Sequence, residues 1–179
     1  METQKFDITS SQSNITWVGK KVTGAHDGTI DLKRGEIVVS DNKLIKGFFI
    51  VDTTSIKILD ITDPETNAQF AGHLASDDFF SSQQFPEAVL EIISVSDNHV
   101  EGNLTIKGIT NRIAFDTIVR VENGVLRADA RIIIDRTKYD MKFRSGNFFT
   151  NLGDTLIYND FELQVTIIAS LRQEILSLV

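Results

Sequence analysis

Strict alternation of apolar and polar residues runs through most of the chain beyond Lys43, in segments too long for ordinary short strands. Val125–Asp135 is the clearest case. Leu126, Ala128, Ala130, Ile132 and Ile134 share one face, while Arg127, Asp129, Arg131 and Asp135 share the other. A period of two means a β-strand with one dry face. Several such strands in succession predict a sheet that curls and closes on itself, and the interior of that sheet is the natural place to look for function.

The same pattern maps the rest of the chain. Ile15 and Trp17 mark a first strand running on towards Val22. Gly24 and Gly28 bracket Ala25-His26-Asp27, which reads as a turn. Residues 29–32 and 36–39 read as short strands turning at Arg34-Gly35, with Asp41-Asn42 the next turn. Residues 44–58 form a long strand that Gly47 lets bend. A helix is expected over Pro64–Ala75. Thr62 and Asp63 are good N-caps, Pro64 suits the first helical position, and Glu65 stands three after Thr62 as in a capping box. Phe70 and Leu74 would share one face, so the helix should plug or flank a mouth of the barrel. Residues 88–95, 99–109, 112–122, 125–136 and 160–169 complete the strands. Tight connections at 109–111 and 122–124 make neighbours antiparallel. The tail 170–179 is amphipathic through Leu171, Ile175, Leu176 and Val179, and suits either a short C-terminal docked helix or an oligomer contact.

The totals bound the function. A chain of 179 residues suits a single domain with a real core. Phe supplies 12 of its aromatics against one Trp and two Tyr, which favours greasy contacts over polar recognition. A net charge of −7 with no basic stripe argues against nucleic acid and against anionic membrane. The absence of cysteine excludes disulfides, zinc–thiolate sites and Cys nucleophiles. No apolar run approaches the ~20 residues of a membrane-spanning helix. Residues 1–14 lack the order of a secretory leader. Two settings stay open: a cytoplasmic one as the chain stands, and a periplasmic one had a leader been removed.

Three segments go beyond pattern: Gly72-His73-Leu74-Ala75-Ser76-Asp77-Asp78-Phe79-Phe80 with Phe85-Pro86-Glu87-Ala88; Gly102-Asn103-Leu104-Thr105-Ile106-Lys107-Gly108-Ile109-Thr110; and Ile134-Asp135-Arg136-Thr137-Lys138-Tyr139 with Leu152-Gly153-Asp154. In this order and spacing they resemble the YceI-like family of bacterial polyisoprenoid-binding, lipocalin-like proteins, over about residues 8–169. The resemblance implies an all-β, antiparallel, up-and-down barrel of eight strands with one helix between strands. It also implies an elongated apolar cavity for a polyisoprenoid, quinone-like or acyl chain. His26 does not align securely with a histidine that many members carry after the first strand.

A protein that hides a long lipid needs a lined tunnel more than catalytic groups. The expected lining residues are Trp17, Phe79, Phe80, Phe85, Ile113, Phe115, Phe143, Phe148 and Phe149. Ala128 and Ala130 face inward and would leave space. The alternative is a filled barrel acting as a structural or interaction protein. Its outward Ile118, Ile133 and Ile168 would then meet a second copy in a homodimer.

Catalytic and metal readings are weaker. His26 with Asp27, and His73 with Asp77 and Asp78, match no metal-ligand spacing, and His73 reads instead as a residue of the helix exit. His99 reads as an exposed hairpin residue. There is no nucleophile elbow, P-loop or dinucleotide glycine motif. Arg127, Asp129 and Arg131 predict cross-strand ion pairs, and Asp135-Arg136-Thr137 a hydrogen-bond network at a strand end. The expectation is a binding protein, not an enzyme, with no cofactor and no metal.

Overall fold

The computed structural model describes residues 2–173. Among them are nine strands: β1 (Thr3–Ile8), β2 (Asn14–Lys21), β3 (Gly24–Ser40), β4 (Lys43–Ile58), β5 (Glu87–Ser96), β6 (His99–Ile106), β7 (Ile109–Glu122), β8 (Val125–Asp135) and β9 (Ile157–Leu171). One helix, α1 (Pro64–Ala75), separates β4 from β5. Each strand from β2 to β9 pairs antiparallel with the next, and β9 returns to β2. The sheet is therefore a closed up-and-down barrel of eight staves.

The ninth strand adds no stave. Both β1 and β2 run antiparallel to β3 and β9, β1 against Glu36 to Ser40 and β2 against Gly24 to Ile30. They are two halves of one stave, broken by a 3-10 turn at Ser10–Gln12. Ser13 stitches the break. Its hydroxyl donates to Thr9 O at 2.9 Å and accepts from Ile168 N–H at 3.0 Å, while Thr9 N–H donates to Ile168 O at 2.8 Å. Backbone groups at the break thus find partners, as a wall without gaps requires. The sequence did not reveal β1, because Phe6 is its only buried side chain.

Other boundaries differ from expectation. Residues 24–40 form one strand of 17 residues, so neither Ala25-His26-Asp27 nor Arg34-Gly35 is a turn. Register shifts against β4 at Thr29/Asp31 and Leu32/Arg34 reset the alternation and make one strand look like two. Gly47 sits in unbroken register with Ile37 and Ile92 and makes no bulge. A Cβ there would lie 2.8 Å from Glu36 O, so close packing is its constraint. The hairpin after β6 turns at Lys107-Gly108, two residues earlier than expected. Both residues have positive φ (54° and 72°), as do Asn123 and Gly124 (52° and 74°) in the hairpin after β7. β9 continues through Leu171, and residues 174–179, where most of the amphipathic tail falls, lie outside the described residues.

The helix has its expected bounds, and of the two expected N-caps it uses Asp63. Asp63, rather than a Thr62–Glu65 box, accepts from the Thr66 N–H at 2.9 Å, and Pro64 occupies the first turn. Asn67 ties the helix down by donating to Ile58 O and Ile61 O at 2.9 and 3.0 Å. The exit segment then covers the upper part of β4, beyond its last pairing with β5. Thr53 N–H donates to Pro86 O at 2.9 Å, and Ser82 Oγ to Thr53 O at 3.0 Å.

Candidate functional site: the barrel interior and its helix-side end

The inner face is built from alternate residues of every stave. Register places Ile15, Trp17, Gly28, Ile30, Phe49, Val51, Leu90, Leu104, Ile113, Phe115, Ala128, Ala130, Leu163 and Val165 on it. Two buried clusters form at its ends. One, beneath α1, joins Leu74 and Phe79 to Ile58, Ala88, Ile106, Ile132, Ile134, Tyr139 and Met141. Leu74 therefore makes α1 a plug in the mouth, not a flanking element. The other cluster joins Phe6, Ile15, Leu32, Ile37, Val39, Leu126, Ile167 and Ala169 near the β3–β4 and β7–β8 hairpins. Val51, Leu163 and Val165 touch both clusters, and all three are only partly buried. The middle of the tube is thus lined by apolar groups that keep some solvent access.

The expected lining residues divide. Trp17, Phe79, Phe80, Ile113, Phe115 and Phe143 all belong to or pack against the helix-side cluster. Phe79 and Phe80 both reach it because they lie in the turn after α1 and not in a strand. Phe85 instead packs over the β6–β7 turn, where a Cβ on Gly108 would come 3.1 Å from its ring. Phe148 and Phe149 are each 49% exposed on the connection before β9 and join neither cluster. They depart from the lining set because they fall in the exposed stretch 146–151 of that connection, which carries no strand to turn them inward.

Aromatic edges hold the plug. His73 on α1 meets Phe79 and Phe143 edge-on, with ring centroids 5.0 and 4.6 Å apart, and its Nε2 lies 3.0 Å from Asp78. Its carbonyl accepts from both the N–H and the Oγ of Ser76. His26, which the sequence suggested was in a turn, stands on β3 at the same mouth. Its Nδ1 is 2.7 Å from Asp60, and its ring is 4.9 Å from Phe70 of α1. Burial pushes the Asp60 carboxyl up, but hydrogen bonds from His26 and the Asp27 N–H outweigh it and hold the group below its usual range. His99 is an exposed hairpin residue paired with Asp116 at 2.9 Å. Lys107 donates to Asp77 O at 2.7 Å and Asp140 O at 3.0 Å, tying the β6–β7 turn to the helix exit.

Beyond the helix, Arg136 is the most buried charge among the described residues, 3% exposed. Its guanidinium donates to Tyr158 O, Ile157 O and Met141 O, at 3.0, 3.0 and 2.5 Å, so it braces the start of β9. Asp135 accepts from Thr137 N–H and Oγ1. This is the expected strand-end network, and its groups are committed to it. The pairing of Arg131 with Glu162 is cross-strand as expected, whereas Arg127 pairs with Asp129 on its own strand. An outer-wall concavity of about 510 Å³ lies between Lys20, Arg131, Tyr158 and Glu162, on the opposite side of the sheet from the lining face.

Residues 6–169 match the model of the YceI-like domain. The chain belongs to the YceI-like family. UPF0312 proteins of Staphylococcus aureus strains RF122 and N315 are each 52% identical to it over 44 residues, 25% of this chain. That stretch spans about a quarter of those relatives' own length (26%). Two solved structures superpose with a TM-score of 0.67. One is BcnA of Burkholderia cenocepacia, at 16% identity over 91% of this chain and 99% of that one. The other is a polyisoprenoid binding domain from Saccharophagus degradans, at 12% identity over 93% and 98%. The YceI protein of Campylobacter jejuni superposes with a TM-score of 0.55, at 17% identity over 74% of this chain and 75% of that one. At these identities the likeness is one of fold, and this YceI-like chain shares that fold.

Sequence reasoning missed two inward polar groups at the helix-side end. Asn111 faces inward opposite Leu104. Tyr139 enters the buried cluster from the 3-10 turn Arg136–Tyr139. The inward phase of β7 could have revealed Asn111, since it lies two residues before Ile113. Nothing in the alternation marks Tyr139, which lies beyond the last strand residue of β8.

Proposed function

We propose that this YceI-like barrel binds a long-chain apolar lipid non-covalently, in its interior, and carries, stores or shields it without catalysing a reaction. The observation that carries the reading is the partly accessible apolar band between two buried end clusters. A lipid chain laid along Trp17, Leu104, Ile113, Phe115, Leu163 and Val165 leaves water at a gain of about 0.8 kcal/mol per methylene. The fold is also that of a polyisoprenoid binding domain, which makes a polyisoprenoid, quinone-like or acyl chain the class to test. The plug supplies the route, since α1 hangs on a few hydrogen bonds and aromatic edges at the mouth.

The test is direct. Protein incubated with polyprenyl or quinone lipids, repurified and extracted with organic solvent should give close to one apolar chain per protein by mass spectrometry. Extracts that stay empty after incubation with the whole panel would overturn the proposal.

A further inference from the structure

Tyr139 is only 1% exposed, and its hydroxyl is the buried side-chain polar atom among the described residues that has no hydrogen-bond partner. Such a group is costly to leave unmatched, and most buried polar atoms are matched. Its place is specific. The phenol enters the helix-side cluster with Ile106, Ile132 and Ile134, three residues of the inner wall. Asn111 lies beside it, with one amide N–H donated to Lys138 O at 2.9 Å. Burial pushes the phenol up to about 12, and contact with the Asn111 side chain tempers that rise. The nearest buried cation, Arg136, is committed to three backbone carbonyls.

We infer that the Tyr139 hydroxyl, with Asn111 beside it, is the polar end of the lipid site and donates a hydrogen bond to a neutral oxygen at the end of the hydrocarbon chain. The inference rests on the lipid-binding reading and names the chemical class of the ligand: a long chain ending in a carbonyl or hydroxyl. A phosphate-headed chain does not fit. A buried anion needs an uncommitted cation, and Arg136 offers its N–H groups to carbonyls instead. The hydroxyl has no open space around it, so the ligand oxygen must displace an apolar neighbour. Leu74 of α1 and Phe79 of its exit belong to the same cluster, so movement of the plug admits the chain and frees the hydroxyl together.

Binding of a long prenyl quinone, a prenyl monophosphate and a pure isoprenoid hydrocarbon should be compared in the whole chain and its Tyr139→Phe variant. The variant should lose about three- to tenfold in affinity for the quinone and nothing for the hydrocarbon. The quinone carbonyl stretch should fall in frequency on binding the wild type and not on binding the variant. Equal quinone affinity in both proteins would overturn the inference while leaving lipid binding intact, as would a prenyl phosphate that binds more tightly than the quinone. A wild type that binds none of the three overturns lipid binding itself. The variant deletes an atom without a partner, so its melting temperature should not fall. A clear fall would reveal a partner within the protein and count against the inference.

Discussion

Trp17 and Gly28 show how one pair of residues fixes part of the lining. They face each other across β2 and β3, and the Trp17 indole N–H donates to Thr29 O at 3.1 Å. Gly28 is buried and its backbone is extended, so its constraint is space and not conformation. A Cβ there would overlap both Lys57 O and the Trp17 ring. Gly28→Ala must therefore push the indole away or part β3 from β4. The expected cost is about 1–3 kcal/mol, read as a lower urea midpoint. Trp17 is the only tryptophan, so its emission should also shift to the red as the ring is displaced. Unchanged stability and emission would show that the wall yields freely at this point. The sequence carried the glycine but not its meaning. Between Gly24 and Gly28, polar residues look like a turn, and only the indole on the neighbouring strand shows why a side chain is excluded. Arg136 behaves similarly: the motif around it was visible, yet its burial follows from contacts with β9 that begin 21 residues later.

At the scale of the element, legibility followed periodicity. β7 and β8 were readable because their alternation is unbroken and their connecting turn is Asn-Gly. β3 was not, because its register shifts against β4 move the apolar face by a residue. β1 was hidden because one buried Phe6 gives no period at all. The helix was readable from its N-terminal punctuation, and it offers a prediction of its own. Asp63 accepts from both the N–H and the Oγ1 of Thr66, and these bonds hold its carboxyl below its usual range. Asp63→Ala leaves the first turn uncapped and should lower the melting temperature by roughly 2–4 °C, while Asp63→Asn keeps an accepting oxygen and should lose much less. Since α1 plugs the mouth, the same Ala variant should exchange amide hydrogens faster over Pro64–Ala75 than over β7. Equal protection in wild type and variant would mean that the plug is held by Leu74 and the aromatic edges alone.

For the whole molecule, closure depends on β9, which joins β8 on one side and the two-part stave β1–β2 on the other. Ion pairs lie over both seams. Arg131 spans to Glu162 across β8–β9, while Arg172, just past β9, holds Asp7 of β1 and Glu36 of β3, the latter at 2.7 Å. The Arg131 hydrogen bond lowers Glu162 from 4.5 to about 2, and Arg172 holds Asp7 below its usual range in the same way. The sign follows from linkage. A carboxylate with a depressed folded pKa stabilises the fold above its unfolded pKa, and that contribution is lost as pH falls through the folded value. Thermal stability should therefore vary little in this respect above about pH 5 and decline between about 4.5 and 2. These pairs face solvent, so the decline should be shallow and should weaken further in high salt. Glu162→Gln removes one titrating group from the seam and should flatten that limb of the pH profile while lowering stability slightly at neutral pH. An identical acid limb in wild type and Glu162→Gln would show that the β8–β9 ion pair adds nothing to closure, and that inward packing of Ile132, Ile134, Phe161 and Leu163 holds the seam unaided.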